Sequence, residues 1–234
     1  MAAFTDTNAA WLQRGDKSGS CYQVNVVGTQ NILELARKYN KYTINISTDF
    51  VFDGNTDVEY TEDSPPSPIE WYGQTKYEAE KLISDSGISF STLRLAFPYR
   101  ANFEAKKDVV RKLIDNFKSK KLYPMFTDQT TTPTFIDDIV NALEYFFDNQ
   151  PKGIFHVVGS SSQSPYQMAL MIADIFDFDR SLVKEGKLTD FIASQPVGSR
   201  PWQKNLSLSN KKIFDLGIKM KTLSEGLLQL KKQS

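Results

Sequence analysis

The sequence is poor in the residues that build disulfides and metal sites. Its 234 residues include one cysteine, Cys21, and one histidine, His156. A single cysteine excludes an intrachain disulfide and a zinc site with several thiolates, so no metal site is predicted. Cys21 stands among helical, apolar residues, which favours an inert buried thiol over a nucleophile.

The chain also lacks an excess of charge and any long apolar run. The 28 basic residues balance the 28 acidic ones, which argues against a protein that mainly grips nucleic acid phosphates. No apolar run approaches the roughly 20 residues of a membrane span. Residues 1–6 lack the basic and apolar regions of a signal peptide. We therefore expect a soluble, cytoplasmic protein with no nucleic-acid or membrane partner.

Segments with strand and helix patterns alternate along the chain, which predicts a doubly wound α/β fold with a parallel sheet. Gly28 falls inside a predicted helix, where glycine costs about 1 kcal/mol relative to alanine. We therefore expect Gly28 to permit a close approach to a strand. The predicted strands are 42–47, 90–95, 123–126 and 153–159, and the predicted helices are 19–39, 71–83, 104–119, 137–147, 164–176, a short one after Ser209, and the C-terminal tail.

A tyrosine and a lysine lie four residues apart at the start of the helix predicted over 71–83. This spacing places Tyr72 and Lys76 on one face, with β-carbons about 6 Å apart. A tyrosine with a pKa near 10 is a poor base at neutral pH unless a nearby cation favours its phenolate, and Lys76 supplies that cation. Alone, the Tyr-x-x-x-Lys pattern is weak, because chance produces it often, and on an arbitrary helix it is more typical of a surface pair.

A second motif, earlier in the chain, favours a catalytic role for Tyr72 and Lys76. Residues 46–54, Ile-Ser-Thr-Asp-Phe-Val-Phe-Asp-Gly, form a strand that ends in hydroxyl residues, and Thr48 lies 24 residues before Tyr72. A hydroxyl at the carboxyl end of a parallel strand points into the ligand crevice. Together with Tyr-Gly-x-Thr-Lys-x-x-x-Glu at 72–80, this segment resembles the active site of the dTDP-4-dehydrorhamnose reductase family of extended short-chain dehydrogenases/reductases.

Further segments along nearly the whole chain resemble the same family. Phe97 replaces a tryptophan that is usual there, and Thr131 stands where the family often has glycine. The resemblance implies a Rossmann-like NAD(P)-binding domain, truncated at its N-terminus, from 1–100 and 133–158. It also implies a smaller, mixed α/β substrate lobe from 101–132 and 159–234. The similar segments are 2–6, 24–31, 94–99, 128–134 and 153–156.

The resemblance also implies an activity and the residues that carry it. The activity is reduction of a nucleotide-linked 4-keto-6-deoxysugar by NADPH or NADH. Tyr72 would donate the proton, Lys76 would lower the pKa of Tyr72 and hold the nicotinamide ribose, and Thr48 would bind the substrate oxygen. His156 would be structural. The implied cofactor contacts are Ala2, Ala3, Thr5, Ser47, Thr48, Tyr72, Lys76 and Phe97, and the implied substrate contacts are Thr48, Asp49, Phe97 and Gln129.

The sequence departs from the family in lacking a Gly-x-x-Gly-x-x-Gly turn for the dinucleotide pyrophosphate. Two βαβ units, roughly 60 residues or more, would precede residue 1 in a complete domain. The chain is therefore either a fragment or a protein that has lost ordinary cofactor binding. Residues 1–234 alone are expected to bind NADPH very weakly and to leave the strand at 42–47 unpaired on one side.

Three alternatives stay open at this point. A sugar-nucleotide epimerase or dehydratase of the same superfamily would use the same three residues. A non-catalytic regulatory subunit of methionine adenosyltransferase would suit a chain without a phosphate-binding turn. A homodimer is also compatible with the sequence.

Overall fold

The computed structural model describes residues 3–101, 103 and 107–233, and it has a parallel three-stranded sheet at its centre. The strands β1 (Thr43–Thr48), β2 (Phe90–Leu95) and β7 (Gly153–His156) lie side by side in that order. Thr48 pairs with Leu95, so the ends of β1 and β2 are level. The expected α/β class and the parallel sheet are confirmed. The predicted contact of Ala2 and part of the helix predicted over 104–119 lie outside the described residues.

Helices and short two-residue strands make up the rest of the regular structure. No helix in the described ranges is long and apolar enough to cross a membrane. The helices are α1 (Thr7–Leu12), α2 (Ser20–Tyr22), α3 (Gly28–Lys38), α4 (Trp71–Ser84), α5 (Val109–Lys118), α6 (Ile136–Asn149), α7 (Pro165–Phe176), α8 (Leu188–Ser194), α9 (Lys211–Asp215) and α10 (Leu223–Gln233). The short strands are β3 (Pro98–Tyr99), β4 (Met125–Phe126), β5 (Thr130–Thr131), β6 (Thr134–Phe135), β8 (Glu185–Gly186) and β9 (Asn205–Leu206).

Helices cover both faces of the central sheet. Adjacent residues of a strand point to opposite faces, and β2 shows this alternation. Arg94 forms an ion pair with Glu80 of α4, whereas Leu93 packs with Ile139 and Phe146 of α6. Helices α4 and α6 therefore lie on opposite sides of the sheet, as a doubly wound fold requires.

The glycine that permits a close approach is Gly73, and the expectation for Gly28 is wrong. A Cβ on Gly28 would have only the Gln23 carbonyl oxygen nearby, at 3.6 Å. Gly28 instead follows a π-helical turn, Gln23–Val27, that links α2 to α3. A Cβ on Gly73 would collide with the carbonyl group of Phe50. The first turn of α4 therefore lies directly against the chain that leaves β1.

A second apolar core lies between α5, α7 and α10. Val110, Leu113, Ile172 and Leu227 belong to it and are almost fully buried. Asp108 caps α5 by accepting a hydrogen bond from the Arg111 N–H, which fixes where this helix begins in the described chain. The strand predicted over 123–126 is shorter than expected, and only its last two residues pair with β8. This core supports the loops that surround the large pocket described below.

Strand β1 is an edge strand in the described sheet, with β2 as its neighbour. A cavity of about 430 Å³ lies along it, lined by Ile44 and Ile46 of the strand and by residues of α6. On α6, Val140 is 59% exposed and Phe147 is 73% exposed. An unpaired strand beside exposed apolar side chains is a surface suited to association.

Candidate active site

The hydroxyl groups of Thr48 and Tyr72 meet where β1 ends and α4 begins. Thr48 is the last residue of β1, and Tyr72 stands in the first turn of α4. The Thr48 side chain lies close enough to the Tyr72 hydroxyl to lower the pKa of that group. The Thr48 hydroxyl also donates to Asp49 Oδ1 at 2.9 Å, and it accepts from the Phe50 N–H at 3.3 Å. The two residues that the sequence motifs single out are therefore brought together at the carboxyl end of the sheet.

The Tyr72 hydroxyl keeps its proton at neutral pH. Burial raises the pKa of Tyr72 well above its ordinary value of 10.0, and the carboxyl groups of Asp49 and Glu70 raise it further. The Thr48 hydrogen bond lowers this pKa but does not offset the burial. Burial therefore sets the direction of this pKa, and the effect expected of Lys76 on Tyr72 stays a prediction.

Lys76 is a buried lysine, only 6% exposed. Burial lowers the pKa of its ammonium group, and Glu80 and Cys21 oppose that shift. The Glu80 carboxylate is already bound to Arg94, through contacts of 2.7 and 3.0 Å. Within the described ranges the structure gives Lys76 no hydrogen bond and no ion pair. Its ammonium group therefore has donors available for a ligand.

The segment at residues 3–5 is tied to the helix that carries Asn25. Asn25 is buried, and its side chain accepts from the Phe4 N–H at 2.9 Å and donates to the Phe4 carbonyl at 3.1 Å. Asn25 also donates to the Thr75 hydroxyl at 3.0 Å, one residue before Lys76. Ala3 and Thr5 are exposed beside this anchor. The buried Cys21 lies in the same network, 3.7 Å from the Thr75 hydroxyl, and its burial was predicted.

Two buried carboxyl groups flank Tyr72. Asp49 and Glu70 are each 2% exposed. Burial raises the pKa of each to about 7, from ordinary values of 3.8 and 4.5. Asp49 Oδ1 accepts from Thr48, while its Oδ2 is buried without a partner in the described part of the protein. These groups share the crevice with Tyr72, and their charges depend on pH in the physiological range.

A pocket of about 730 Å³ opens next to this crevice. Phe97 and Gln129, which were predicted to contact substrate, both line it. Phe97 lies 6.4 Å from Phe50, and Phe50 lies 5.9 Å from Tyr72, measured between ring centroids. Phe97 therefore links the pocket to Tyr72 through Phe50, and Gln129 donates to the Gln203 carbonyl at 3.0 Å.

Aromatic rings form another wall of the pocket. The ring of Phe191 contacts those of Phe126 and Trp202, at centroid distances of 5.6 and 5.3 Å respectively. Glu185, Lys187 and Asp190 add charged groups to a mostly apolar lining, and Gln129 and Thr131 add polar ones. A mostly apolar pocket with a few polar groups is typical of a small-molecule site.

The backbone of Phe97 is strained, with φ at 41°. Bulky residues rarely adopt this left-handed conformation, and such strain concentrates at functional sites. Thr134 stabilises this backbone conformation through two hydrogen bonds. Its N–H donates to the Phe97 carbonyl at 3.2 Å, and its hydroxyl donates to the Ala96 carbonyl at 2.7 Å.

Sequence patterns did not reveal Asn25, Glu70 or Trp202 as parts of the site. Asn25 lies in a segment whose resemblance was noted, but no pattern shows that its amide holds Phe4. Glu70 precedes Tyr72 by two residues, at the position where a helix N-cap is expected. That position could have indicated from the sequence that Glu70 belongs to the site. Trp202 lies in a loop with no periodic pattern. Ser47, predicted to bind cofactor, is 4% exposed and its hydroxyl has no partner within the described ranges.

His156 lies in a buried polar cluster away from Tyr72. Its Nε2 is 3.4 Å from Arg94, and its Nδ1 is 3.2 Å from the Ser209 carbonyl. Burial and the Arg94 charge lower the pKa of His156 to about 3, so the ring is neutral at physiological pH. This placement agrees with the structural role expected for it.

The fold, with Thr48 beside Tyr72 at the end of β1, is that of a class, the Rossmann-like proteins of the extended short-chain dehydrogenase/reductase superfamily. The chain belongs to the dTDP-4-dehydrorhamnose reductase family: the family model described as the RmlD substrate binding domain matches residues 1–233. The family named from the sequence motifs is thereby confirmed.

Proteins of different roles resemble this chain. Methionine adenosyltransferase 2 subunit beta of Rattus norvegicus is 31% identical over 206 residues, 86% of this chain and 60% of that protein. A relative named as a probable low-salt glycan biosynthesis reductase, Agl14, of Haloferax volcanii is 31% identical over 190 residues, 80% of this chain and 62% of that protein. The chain thus spans about 60% of the length of these curated relatives.

A solved structure shows the same fold over the whole chain. It is the dTDP-4-dehydrorhamnose reductase of Bacillus anthracis in complex with NADP, with a TM-score of 0.87 and 22% sequence identity. The match covers 100% of this chain and 79% of that one.

Proposed function

We propose that the protein is an NAD(P)H-dependent reductase of a nucleotide-linked 4-keto-6-deoxysugar. The observation that carries the proposal is the placement of the Tyr72 hydroxyl, protonated at neutral pH, beside Thr48 where the start of α4 packs on the chain that leaves β1. A carbonyl that gains a hydride needs a proton on its oxygen, and a positioned phenol supplies one. The relative Agl14, named as a reductase, supports the same chemistry.

In this reaction Tyr72 acts as the proton donor. Its raised pKa suits donation, because the phenol stays protonated until the substrate oxygen becomes basic enough to take the proton. Thr48 holds the same oxygen by a second hydrogen bond and fixes its position relative to Tyr72. The neutral pair of hydroxyls stabilises the negative charge that develops on this oxygen.

The residues of the crevice fit the nicotinamide-ribose end of a dinucleotide. The Lys76 ammonium is buried with free donors, one helical turn from Tyr72, and a ribose diol offers acceptors for them. Asn25 holds the segment at residues 3–5 beside the same helix. A nicotinamide bound there would supply the hydride. The sequence has no glycine-rich turn for the pyrophosphate, so the assignment rests on this end of the cofactor.

The pocket beside the crevice would receive the rest of the substrate. The keto sugar would lie at Tyr72, with Phe97 and Gln129 beside it, and the nucleotide would extend toward Phe191 and Trp202. Aromatic side chains bind flat apolar rings such as nucleobases by stacking.

The proposal is tested by following NADPH oxidation at 340 nm with a dTDP-linked 4-keto-6-deoxysugar, using the protein expressed from its natural gene. We expect substrate-dependent loss of absorbance and a product reduced at the keto carbon. A product that is epimerised or dehydrated, with no net NADPH consumption, would assign the protein to those reaction classes instead.

A second candidate function is a regulatory role in methionine adenosyltransferase. The observation that favours it is the 31% identity to subunit beta of the rat enzyme. Size-exclusion chromatography with the purified catalytic subunit from the same organism tests it. Co-elution together with a changed rate of S-adenosylmethionine synthesis would support this role, and separate elution would oppose it.

A further inference from the structure

Glu70 caps the helix that carries Tyr72, and it is a long side chain for that position. Helix N-caps are usually serine, threonine, aspartate or asparagine, whose short side chains reach the free N–H groups directly. The Glu70 carboxylate turns back to accept from the Tyr72 N–H at 3.0 Å and from the Gly73 N–H. A short neutral cap would satisfy the same groups, so capping alone does not explain a buried charge here.

The Glu70 carboxyl group is enclosed by the active-site elements. It is 2% exposed. Tyr72 faces it from α4, Asp49 from the turn after β1, and Cys21 from α2, and each of these groups is electrostatically coupled to it. Arg200 attracts it from the loop before Trp202. Any charge on Glu70 is therefore felt at Tyr72 across a poorly solvated space.

Gly73 brings the capped turn close to Thr48. The absence of a Cβ at Gly73 lets α4 rest on the Phe50 carbonyl, two residues beyond Thr48. Glu70 binds the amides of Tyr72 and Gly73 and so fixes the backbone on which the Tyr72 ring is mounted. The cap and the close approach act on the same turn.

We propose that Glu70 is a positioning residue for Tyr72. Its carboxylate binds the Tyr72 and Gly73 amides and so holds the turn that carries the Tyr72 hydroxyl against Thr48. The catalytic importance of this arrangement rests on the proposed reductase function.

The direction of the charge effect follows from the helix. A helix N-terminus carries a partial positive charge, which would favour a phenolate on a tyrosine of the first turn. A carboxylate at the cap opposes that effect and favours the phenol. Because burial raises the pKa of Glu70 to about 7, the carboxylate is charged above that pH and neutral below it.

Nuclear magnetic resonance tests the proposal without any activity. Tyrosines are labelled at the amide ¹⁵N and the ring ¹³Cζ, and the Tyr72 signals are assigned by their loss in Tyr72→Phe. We expect both signals to shift together between pH 5.5 and 8.5 with one midpoint near 7, because the donor bond and the charge change together. Glu70→Gln keeps the length and an acceptor oxygen, so it should remove the transition of the amide signal and displace the ring signal at pH 8.

Two further variants separate Glu70 from its neighbours. Asp49→Asn should leave the amide transition in place, although Asp49 also titrates near pH 7. Glu78→Gln changes an acidic residue farther along α4 and should change neither signal. A transition of the Tyr72 amide signal that persists in Glu70→Gln, or one that is absent from the wild type, would overturn the proposal. If Glu70→Gln does not fold, Glu70→Asp provides the test, because a retained carboxylate should retain the transition.

Kinetics separate this proposal from the proposed function. In an active enzyme, Glu70→Gln should leave kcat nearly unchanged at pH 6, where Glu70 itself is neutral, and lower it about tenfold at pH 8, because a neutral amide holds the Tyr72 and Gly73 N–H groups less firmly than a carboxylate does. The KM for NADPH should be unchanged. Equal losses at both pH values would show a merely structural role. Absence of activity in the wild type would speak against the reductase function, while the resonance titration would still decide the role of Glu70.

Discussion

The crevice at Tyr72 and the pocket beside it are built in different ways. The crevice consists of buried polar side chains at the end of β1 and the start of α4, and it contains two carboxyl groups with a pKa of about 7. The pocket is lined by aromatic and apolar side chains, many of them from loops. The difference suggests that the crevice fixes the chemistry, whereas the pocket selects what is bound.

The largest expected effect is the loss of the Tyr72 hydroxyl. Tyr72→Phe keeps the ring but removes the proton donor, so kcat should fall about 10²–10⁴-fold, with a smaller effect on substrate affinity. Tyr77→Phe, on the same helix, is the matched control and should change kcat little. If Tyr72→Phe lowers kcat less than about threefold, Tyr72 is not the acid.

The next effect concerns the buried Asp49 and depends on pH. Its pKa is about 7 in the folded protein and 3.8 ordinarily, so the folded state holds a proton that the unfolded state releases as pH rises from about 4 to 7. Stability due to this group therefore falls across that window and stays low above it. Asp49→Asn should raise the free energy of unfolding at pH 8 by a few kcal/mol, on the order of 1.36 kcal/mol per pKa unit, and should give little gain at pH 4.

Urea denaturation at the two pH values measures this effect, with the exposed Asp85→Asn as a control. Besides burial, the charge of Glu70 raises the pKa of Asp49. The free energy of unfolding gained by Asp49→Asn therefore includes relief of the repulsion between these two carboxyl groups. An equal change at pH 4 and pH 8 would contradict a buried, titrating carboxyl at position 49.

A smaller effect is expected from a pair of glycine substitutions. Gly73→Ala should destabilise the protein by about 1–3 kcal/mol, because the added methyl group meets the Phe50 carbonyl. Gly28→Ala should stabilise it by up to about 1 kcal/mol, because its site is helical and open. Thermal unfolding of the two variants should give opposite shifts, and shifts of the same sign would contradict the packing described for α4.

The smallest effect is expected in the pocket. Trp202→Ala should raise the KM for the sugar nucleotide about tenfold, or about 1.4 kcal/mol, and leave kcat nearly unchanged. Phe214→Ala, on α9, removes an exposed aromatic ring that does not line the pocket and is the control. A lowered kcat with an unchanged KM would show that the pocket takes part in the chemistry and that the division between the two regions is wrong.

The same division explains what could be predicted from the sequence. Thr48, Tyr72 and Lys76 lie at the end of a strand and on a helix, where spacing fixes which side chains share a face, so their grouping could be read from motifs. The raised pKa of Tyr72 could not, because burial depends on residues distant in the chain. The contacts of Trp202 and the left-handed backbone of Phe97 arise from loops, which carry no periodic pattern. The need for glycine at position 73 also could not be predicted, because it depends on the Phe50 carbonyl, which only the folded chain brings against α4.

The most direct test of the proposed site is isothermal titration with NADPH of the wild-type protein, expressed from its natural gene, and of Lys76→Met. The exposed Lys81→Met, on the same helix, is the control. The Lys76 ammonium has free donors at the proposed ribose site, so Lys76→Met should weaken binding at least about tenfold, and Lys81→Met should not. Equal affinity of the wild type and Lys76→Met would contradict the cofactor site described here. No binding by the wild type at millimolar NADPH would contradict the reductase function itself and favour the regulatory role.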